Sequence, residues 1–155
     1  MRGALCLAVF AVVAGCDPAA TAPTADDPSN PCVALGDNPD GTLTARVDGE
    51  RFAANCFDVR ASGDGVSFDA RTLTQNDAYG IQTLGEIELS VSRGASTEIG
   101  DTYRASLTTR RGTRVDGVTG TASLDVLTAD RAAGRFAFTT ENGIQVTDGV
   151  FDIEL

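Results

Sequence analysis

Residues 43–56, LTARVDGERFAANC, decide the fold class. Leu43, Ala45 and Val47 fall on one side of an extended chain, with Thr42, Thr44 and Arg46 on the other. Alternation with a period of two is the mark of a strand that buries one face. Asp48-Gly49 then interrupts the run, and Phe52, Ala54 and Cys56 resume the apolar phase. Asp-Gly supplies the positive φ angles of a two-residue turn, so the stretch predicts a β-hairpin.

The same rhythm continues to the end of the chain. Val66/Phe68/Ala70, Ile87/Leu89/Val91, Tyr103/Ala105/Leu107 and Ala122/Leu124/Val126 each alternate, as do Phe136/Phe138, Ile144/Val146 and Phe151/Ile153/Leu155. Turn residues separate them at Ser62-Gly63-Asp64-Gly65, Thr74-Gln75-Asn76-Asp77, Ser92-Arg93-Gly94, Arg111-Gly112, Asn142-Gly143 and Asp148-Gly149. No stretch has helical i, i+3, i+4 spacing, and TADRAAG at 128–134 reads as a hairpin loop. The expectation is an all-β domain of about eight short antiparallel strands, either a sandwich or a partly closed barrel, with no substantial helix.

Composition narrows the function classes. The 155 residues carry 22 acidic and 12 basic side chains, a net charge of −10, and no histidine. Every basic residue is arginine. Such an acidic surface repels nucleic acid, which excludes it as a partner class. Without histidine or lysine the usual general bases for a nucleophile are missing, so the chain is expected not to be an enzyme. No cofactor is expected either, since no glycine-rich phosphate loop opens a helix.

The amino terminus gives the address. Arg2 precedes GALCLAVFAVVAG, an uncharged run too short to span a bilayer with its roughly 20-residue requirement. Its length and flanks suit a secretory signal peptide. Val13-Ala14-Gly15-Cys16 resembles a bacterial lipobox, which implies cleavage before Cys16 and attachment of diacylglycerol to its sulfur. Two or three acyl chains make a stable anchor. The expected organisation is a signal peptide over 1–15, a lipidated cysteine and tether over 16–31, and one β domain over 32–155. The tether, DPAATAPTADDPSNP, is rich in Pro, Ala, Thr and Asp and reaches roughly 45 Å at about 3.1 Å per residue. The protein is therefore expected in the bacterial cell envelope, bound to the inner or the outer membrane through Cys16.

Cysteine counting follows from that assignment. Cys6 leaves with the signal peptide and Cys16 carries lipid, leaving Cys32 and Cys56 in a compartment that permits disulfides. Their bond would close a loop of about 25 residues and stabilise the fold by about 3.5 kcal/mol in the chain-entropy model. A metal pair is excluded, because no histidine or further cysteine completes a tetrahedral site.

Candidate sites are sparse. DNPDG at 37–41 lacks the alternating ligands and distant glutamate of a calcium loop and reads as a turn. Glu86 and Glu88 share a strand face and read as solvated. Arg110, Arg111 and Arg114 surround a glycine turn and form the densest positive cluster; they either grip an anion through guanidinium forks or decorate a solvated loop tip. Phe57 is out of phase with Phe52 and Cys56, and Tyr79 begins a strand; the two mark either a surface patch or a second packed layer.

The ending GRFAFTTENGIQVTDGVFDIEL (134–155) resembles that of a family of uncharacterised Gram-negative lipoproteins, with a G-x-F-x-F strand and a final V-T-x-G-x-F-x-[IV] strand. Gly134, Phe136 and Phe138 carry the first motif; Val146, Thr147, Gly149, Phe151 and Ile153 carry the second. LTARVDGERFAA (43–54) is similar to the same family's opening hairpin. The resemblance implies a lipid-anchored β domain and brings no catalytic residue. Together these readings favour a non-enzymatic envelope interaction or structural module that contacts an envelope protein or small ligand. A lipocalin-like carrier of a small apolar ligand is the alternative.

Overall fold

Asp48 and Gly49 have φ of 49° and 82°, the pair of left-handed residues that a two-residue hairpin turn requires. In the computed structural model they join β1 (Gly41–Val47) to β2 (Glu50–Ala54), which pair antiparallel from Val47↔Glu50 to Leu43↔Ala54. The remaining strands are β3 (Cys56–Ser62), β4 (Gly65–Asn76), β5 (Gly80–Ser92), β6 (Tyr103–Thr108), β7 (Arg114–Leu127), β8 (Arg131–Thr140) and β9 (Gln145–Glu154). A five-residue helix, α1 (Pro31–Leu35), precedes them. The structure describes residues 30–38, 40–76, 80–93, 103–109 and 111–155. The expectations for Cys16, Tyr79, Arg110 and the Tyr103 side chain lie outside what is described.

The sheet order is β2-β1-β9-β8-β7-β6-β5-β4-β3, antiparallel throughout. Sequential neighbours pair except β2 and β3, which end the order, β9 returns to β1, and the result is a nearly closed barrel rather than a sandwich. Asn55 alone separates β2 from β3, so the two behave as one bent strand that pairs first with β1 and then with β4. Counted that way the barrel has eight staves, the size at which side chains can just fill the interior.

Asn55 closes the seam where pairing changes partner. Its backbone N–H donates to the Arg71 carbonyl at 2.9 Å, and its Nδ2 donates to the Leu73 carbonyl at 3.1 Å. Its Oδ1 accepts from the Leu73 N–H at 2.8 Å, and the Thr72 hydroxyl donates to the Ala53 carbonyl at 2.8 Å. A side-chain amide carries the same donor and acceptor as a peptide, so it can stand in for a strand. Farther along, Asn38 and Phe57 exchange backbone hydrogen bonds of 2.7 and 2.8 Å, extending the seal.

One core fills the barrel, with Leu43, Phe57, Phe68, Ile87, Leu89, Val146, Phe151 and Ile153 all at most 2% exposed. Phe57 belongs to this core and to no surface patch or second layer. The step at Asn55 shifts the strand phase by one, which is why it looks misplaced beside Phe52. Cys56, displaced outward by the same step, packs with Cys32, Leu73 and Ile81 in a small separate cluster. There Cys32 and Cys56 form the expected disulfide, with Cα atoms 5.3 Å apart.

Several strands are longer than expected, up to 14 residues in β7. Bulges are the cause. Asp148-Gly149 is no turn: it lies inside β9, where the register slips between Phe136 and Phe138 of β8. Asp148 takes φ of 52°, and the bulge moves the inward phase from Val146 to Gly149, Phe151 and Ile153. Likewise β4 continues to Asn76 through residues expected to turn.

Candidate ligand site at the barrel mouth

One end of the barrel collects the β1–β2 turn, the start of β5, the β6–β7 turn and the β8–β9 connection. Each is fixed by main-chain bonding. Asp48 N–H donates to the Gln145 carbonyl at 2.8 Å, and Gln145 N–H returns a bond of 2.9 Å to Asp48 Oδ1. Thr109 and Thr113 close the β6–β7 turn with a 3.0 Å backbone bond. Thr140, 2% exposed, accepts from the Ile144 N–H at 3.0 Å through its hydroxyl and so sets Ile144 at the lip. On β5 the register passes from Thr83 to Gly85 opposite Leu73 and Thr72, leaving Leu84 as an extra residue at the mouth.

These elements enclose a half-open cavity of about 590 Å³. Val47, Phe52, Leu84, Leu107 and Ile144 supply its apolar surface, around the buried backbone of Gly85. A Cβ at Gly85 would meet the Phe52 ring at 3.3 Å, so the missing side chain is what lets that ring lie against β5. The volume falls inside the range of roughly 300–1,000 Å³ typical of small-molecule sites. Below the floor the barrel is full. Phe68 and Phe151 rings sit 5.0 Å apart, Phe136 and Phe151 6.4 Å apart. The site is a bowl rather than a channel.

Its rim is polar and divided. Asp48 and Glu50 stand on the β1–β2 side; Thr108, Thr109 and Arg111 stand on the β6–β7 side. Arg51 also borders the cavity, but it lies across from Arg46 and out of phase with Phe52. Among the described residues, the Arg111 side chain has neither a salt bridge nor a hydrogen bond. That is notable where carboxylates outnumber guanidinium groups 22 to 12.

Of the arginine cluster expected from the sequence, Arg110 lies outside the described residues, and Arg111 and Arg114 have different surroundings. Arg114 lies on the outer wall, where Nη1 meets Glu88 Oε2 at 2.6 Å and Nε meets Asp116 at 3.5 Å. Partial burial works against its charge, but Glu88 and Asp116 offset this and raise its pKa. Arg111 lines the mouth and Arg114 does not. The reason is geometric: Arg114 opens a strand in the outward phase, while Arg111 belongs to the turn.

Glu86 and Glu88 do share the outer face, yet they are half-buried in an ion-pair network rather than freely solvated. Asp58↔Asp69, Asp69↔Glu88, Glu88↔Ser106 and Ser106↔Asp116 pair directly, forming one row across β3–β7. Arg71 contacts Asp37 at 2.7 Å, Asp69 at 3.4 Å and Glu86 at 3.6 Å. Burial, with help from Glu88, raises the Asp69 pKa; burial also raises that of Glu86, against the pull of Arg71. The Asp37–Gly41 turn takes part in this network through Asp37, and Asp40 N–H donates to Asn38 Oδ1 at 2.8 Å. Among the described residues no group of three potential ligands is placed to hold a metal.

The mouth was the part that sequence reading missed. Its signal was present in Leu84-Gly85, a step that breaks the alternation ahead of Ile87 and Leu89. No family model matches this chain, and neither the curated proteins nor the solved structures include a match.

Proposed function

We propose that this protein is a non-enzymatic binding module, tethered to a membrane of the bacterial envelope through Cys16, whose barrel mouth receives a small apolar molecule. The half-open cavity of about 590 Å³ carries this reading, because its floor is apolar while the barrel beneath is closed. The lipobox-like Val13–Cys16 supports the location. The absence of enzymatic activity is supported by a chain with no histidine or lysine. It is also supported by the place of the shifted carboxylates Asp69 and Glu86, which sit on the outer wall beside Arg71 and not at the cavity.

The reading differs from a lipocalin-like carrier in depth: the ligand lies across the mouth instead of along the barrel axis. N-phenyl-1-naphthylamine, a neutral fluorophore, tests it. The full-length Cys16→Ser protein should enhance its fluorescence saturably, and Gly85→Leu, which fills the floor, should abolish the effect while circular dichroism stays that of a folded barrel. Ile144→Asp, at the lip, provides a second variant that leaves the wall intact. Equal binding by wild type and both variants would overturn the assignment.

A further inference from the structure

We infer that the ligand class is short, ring-sized apolar carboxylates, bound with the carboxylate toward Arg111, rather than long-chain lipids. The inference rests on the mouth being a binding site. Two independent features of the cavity carry it.

The first is depth. Leu107 and Gly85 form a floor that is already buried, and Phe52 lies over Gly85. Beneath them Leu43, Ile87, Phe136 and Phe138 occupy the interior. A chain entering the mouth gains apolar contact only until it has crossed the bowl, and every further methylene stays in water. Each methylene that is buried tightens binding about fourfold, so affinity must rise and then level off with chain length.

The second is polarity. Arg51 borders the cavity on the β1–β2 side, out of phase with Phe52. The other charged and hydroxyl groups of the rim are segregated, with the carboxylates of Asp48 and Glu50 on the β1–β2 side and Arg111 with the Thr108 and Thr109 hydroxyls on the β6–β7 side. Asp48 already accepts the Gln145 N–H. Arg111 has no partner among the described residues. A guanidinium fork matches a carboxylate in shape as well as charge, and so orients a ligand that carries one. Glu50, in phase with Phe52, opposes a second negative charge and restricts the head to the Arg111 side.

Calorimetric titration of the full-length Cys16→Ser protein with straight-chain carboxylates from butanoate to decanoate, and with the matching alcohols, tests both features. Affinity should increase at first and level off before decanoate. Octanoate should bind about tenfold more tightly than octanol. Arg111→Gln should erase that preference without weakening octanol, and Glu50→Gln should widen it. Steady tightening through decanoate would overturn the size limit. Equal affinity for octanoate and octanol, or a preference that survives Arg111→Gln, would overturn the role of the carboxylate while leaving the mouth as a site. If neither series displaces N-phenyl-1-naphthylamine, the binding site itself is wrong.

Discussion

Gly134 faces Phe151 across β8 and β9, and a Cβ on Gly134 would stand 2.7 Å from the Phe151 ring. The neighbouring pair repeats the relationship in reverse: Phe136 faces Gly149, whose added Cβ would be 2.7 Å from the Phe136 ring. Gly-x-Phe therefore opposes Gly-x-Phe, and each ring covers the opposite backbone. Gly134→Ala also drives the new methyl into the Ser123 carbonyl oxygen. Backbone cannot yield as a side-chain tip can, so the expected loss is about 3 kcal/mol, the upper part of the overpacking range. Phe151→Ala removes the ring and should cost about 4 kcal/mol through the cavity it leaves. Urea titration checks both, and a Gly134→Ala protein as stable as wild type would refute the packing argument.

This reciprocity explains what the sequence could and could not reveal. The alternation of Leu43, Ala45 and Val47 and the Asp48-Gly49 turn were legible because both depend on a few adjacent residues. Cys32 and Cys56 were legible by elimination. The bulge at Asp148-Gly149 was not, since the same dipeptide serves a turn at 48–49 and a bulge at 148–149; only pairing with Phe136 distinguishes them. Asn55 looked like an ordinary polar residue because its role depends on the Leu73 backbone 18 positions away. The mouth was hidden for the same reason: Val47, Gly85, Leu107 and Ile144 come from four separate parts of the chain.

Asn55 should resist replacement. Alanine removes both side-chain bonds to Leu73 and leaves that residue's N–H and carbonyl to find water at a half-buried seam. A loss of about 2 kcal/mol is expected. Asn55→Asp keeps the acceptor but loses the donor, so it should fall between wild type and alanine. Amide exchange at Leu73 is the direct measurement, and unchanged protection in Asn55→Ala would show that the seam closes without it.

The disulfide holds α1 against that seam. Joining residues 24 apart, it should contribute about 3.5 kcal/mol by restricting the unfolded chain. Cys32→Ser/Cys56→Ser is expected to fold with a correspondingly lower urea midpoint and an unchanged barrel signature by circular dichroism. Ile81 and Leu73 should become more exposed in the double variant, because they pack with the two cysteines.

Lipidation makes a sharp prediction at one atom. Cells expressing the full-length chain with labelled palmitate should incorporate label into the protein, and Cys16→Ala should remove it and release the protein from the membrane fraction. Label retained by the Cys16→Ala variant would rule out this anchor. The Cys32→Ser/Cys56→Ser variant should keep the label, which separates anchoring from folding.

Stability should be greatest in mild acid. Burial raises the pKa of Asp69 and of Glu86 above their ordinary values, 3.8 and 4.5, with neighbouring carboxylates adding to the effect. Within the window from the ordinary to the raised values, the folded protein holds protons that the unfolded chain has released. Stability therefore falls as pH rises through that window and is flat above it. Asp152 acts in the opposite sense: hydrogen bonding to Arg131 lowers its pKa, so its contribution is lost only as pH falls below the ordinary range. Melting temperatures measured between about pH 4 and 7 should decline toward neutrality. Asp69→Asn removes like charges directly opposite Asp58 and Glu88, and should stabilise at neutral pH by about 0.5 kcal/mol while flattening the decline. Arg71→Gln should steepen it, because Arg71 is the cation that holds Asp69 and Glu86 ionised. A melting temperature that rises from mild acid to neutral pH in wild type would contradict the role assigned to this carboxylate row.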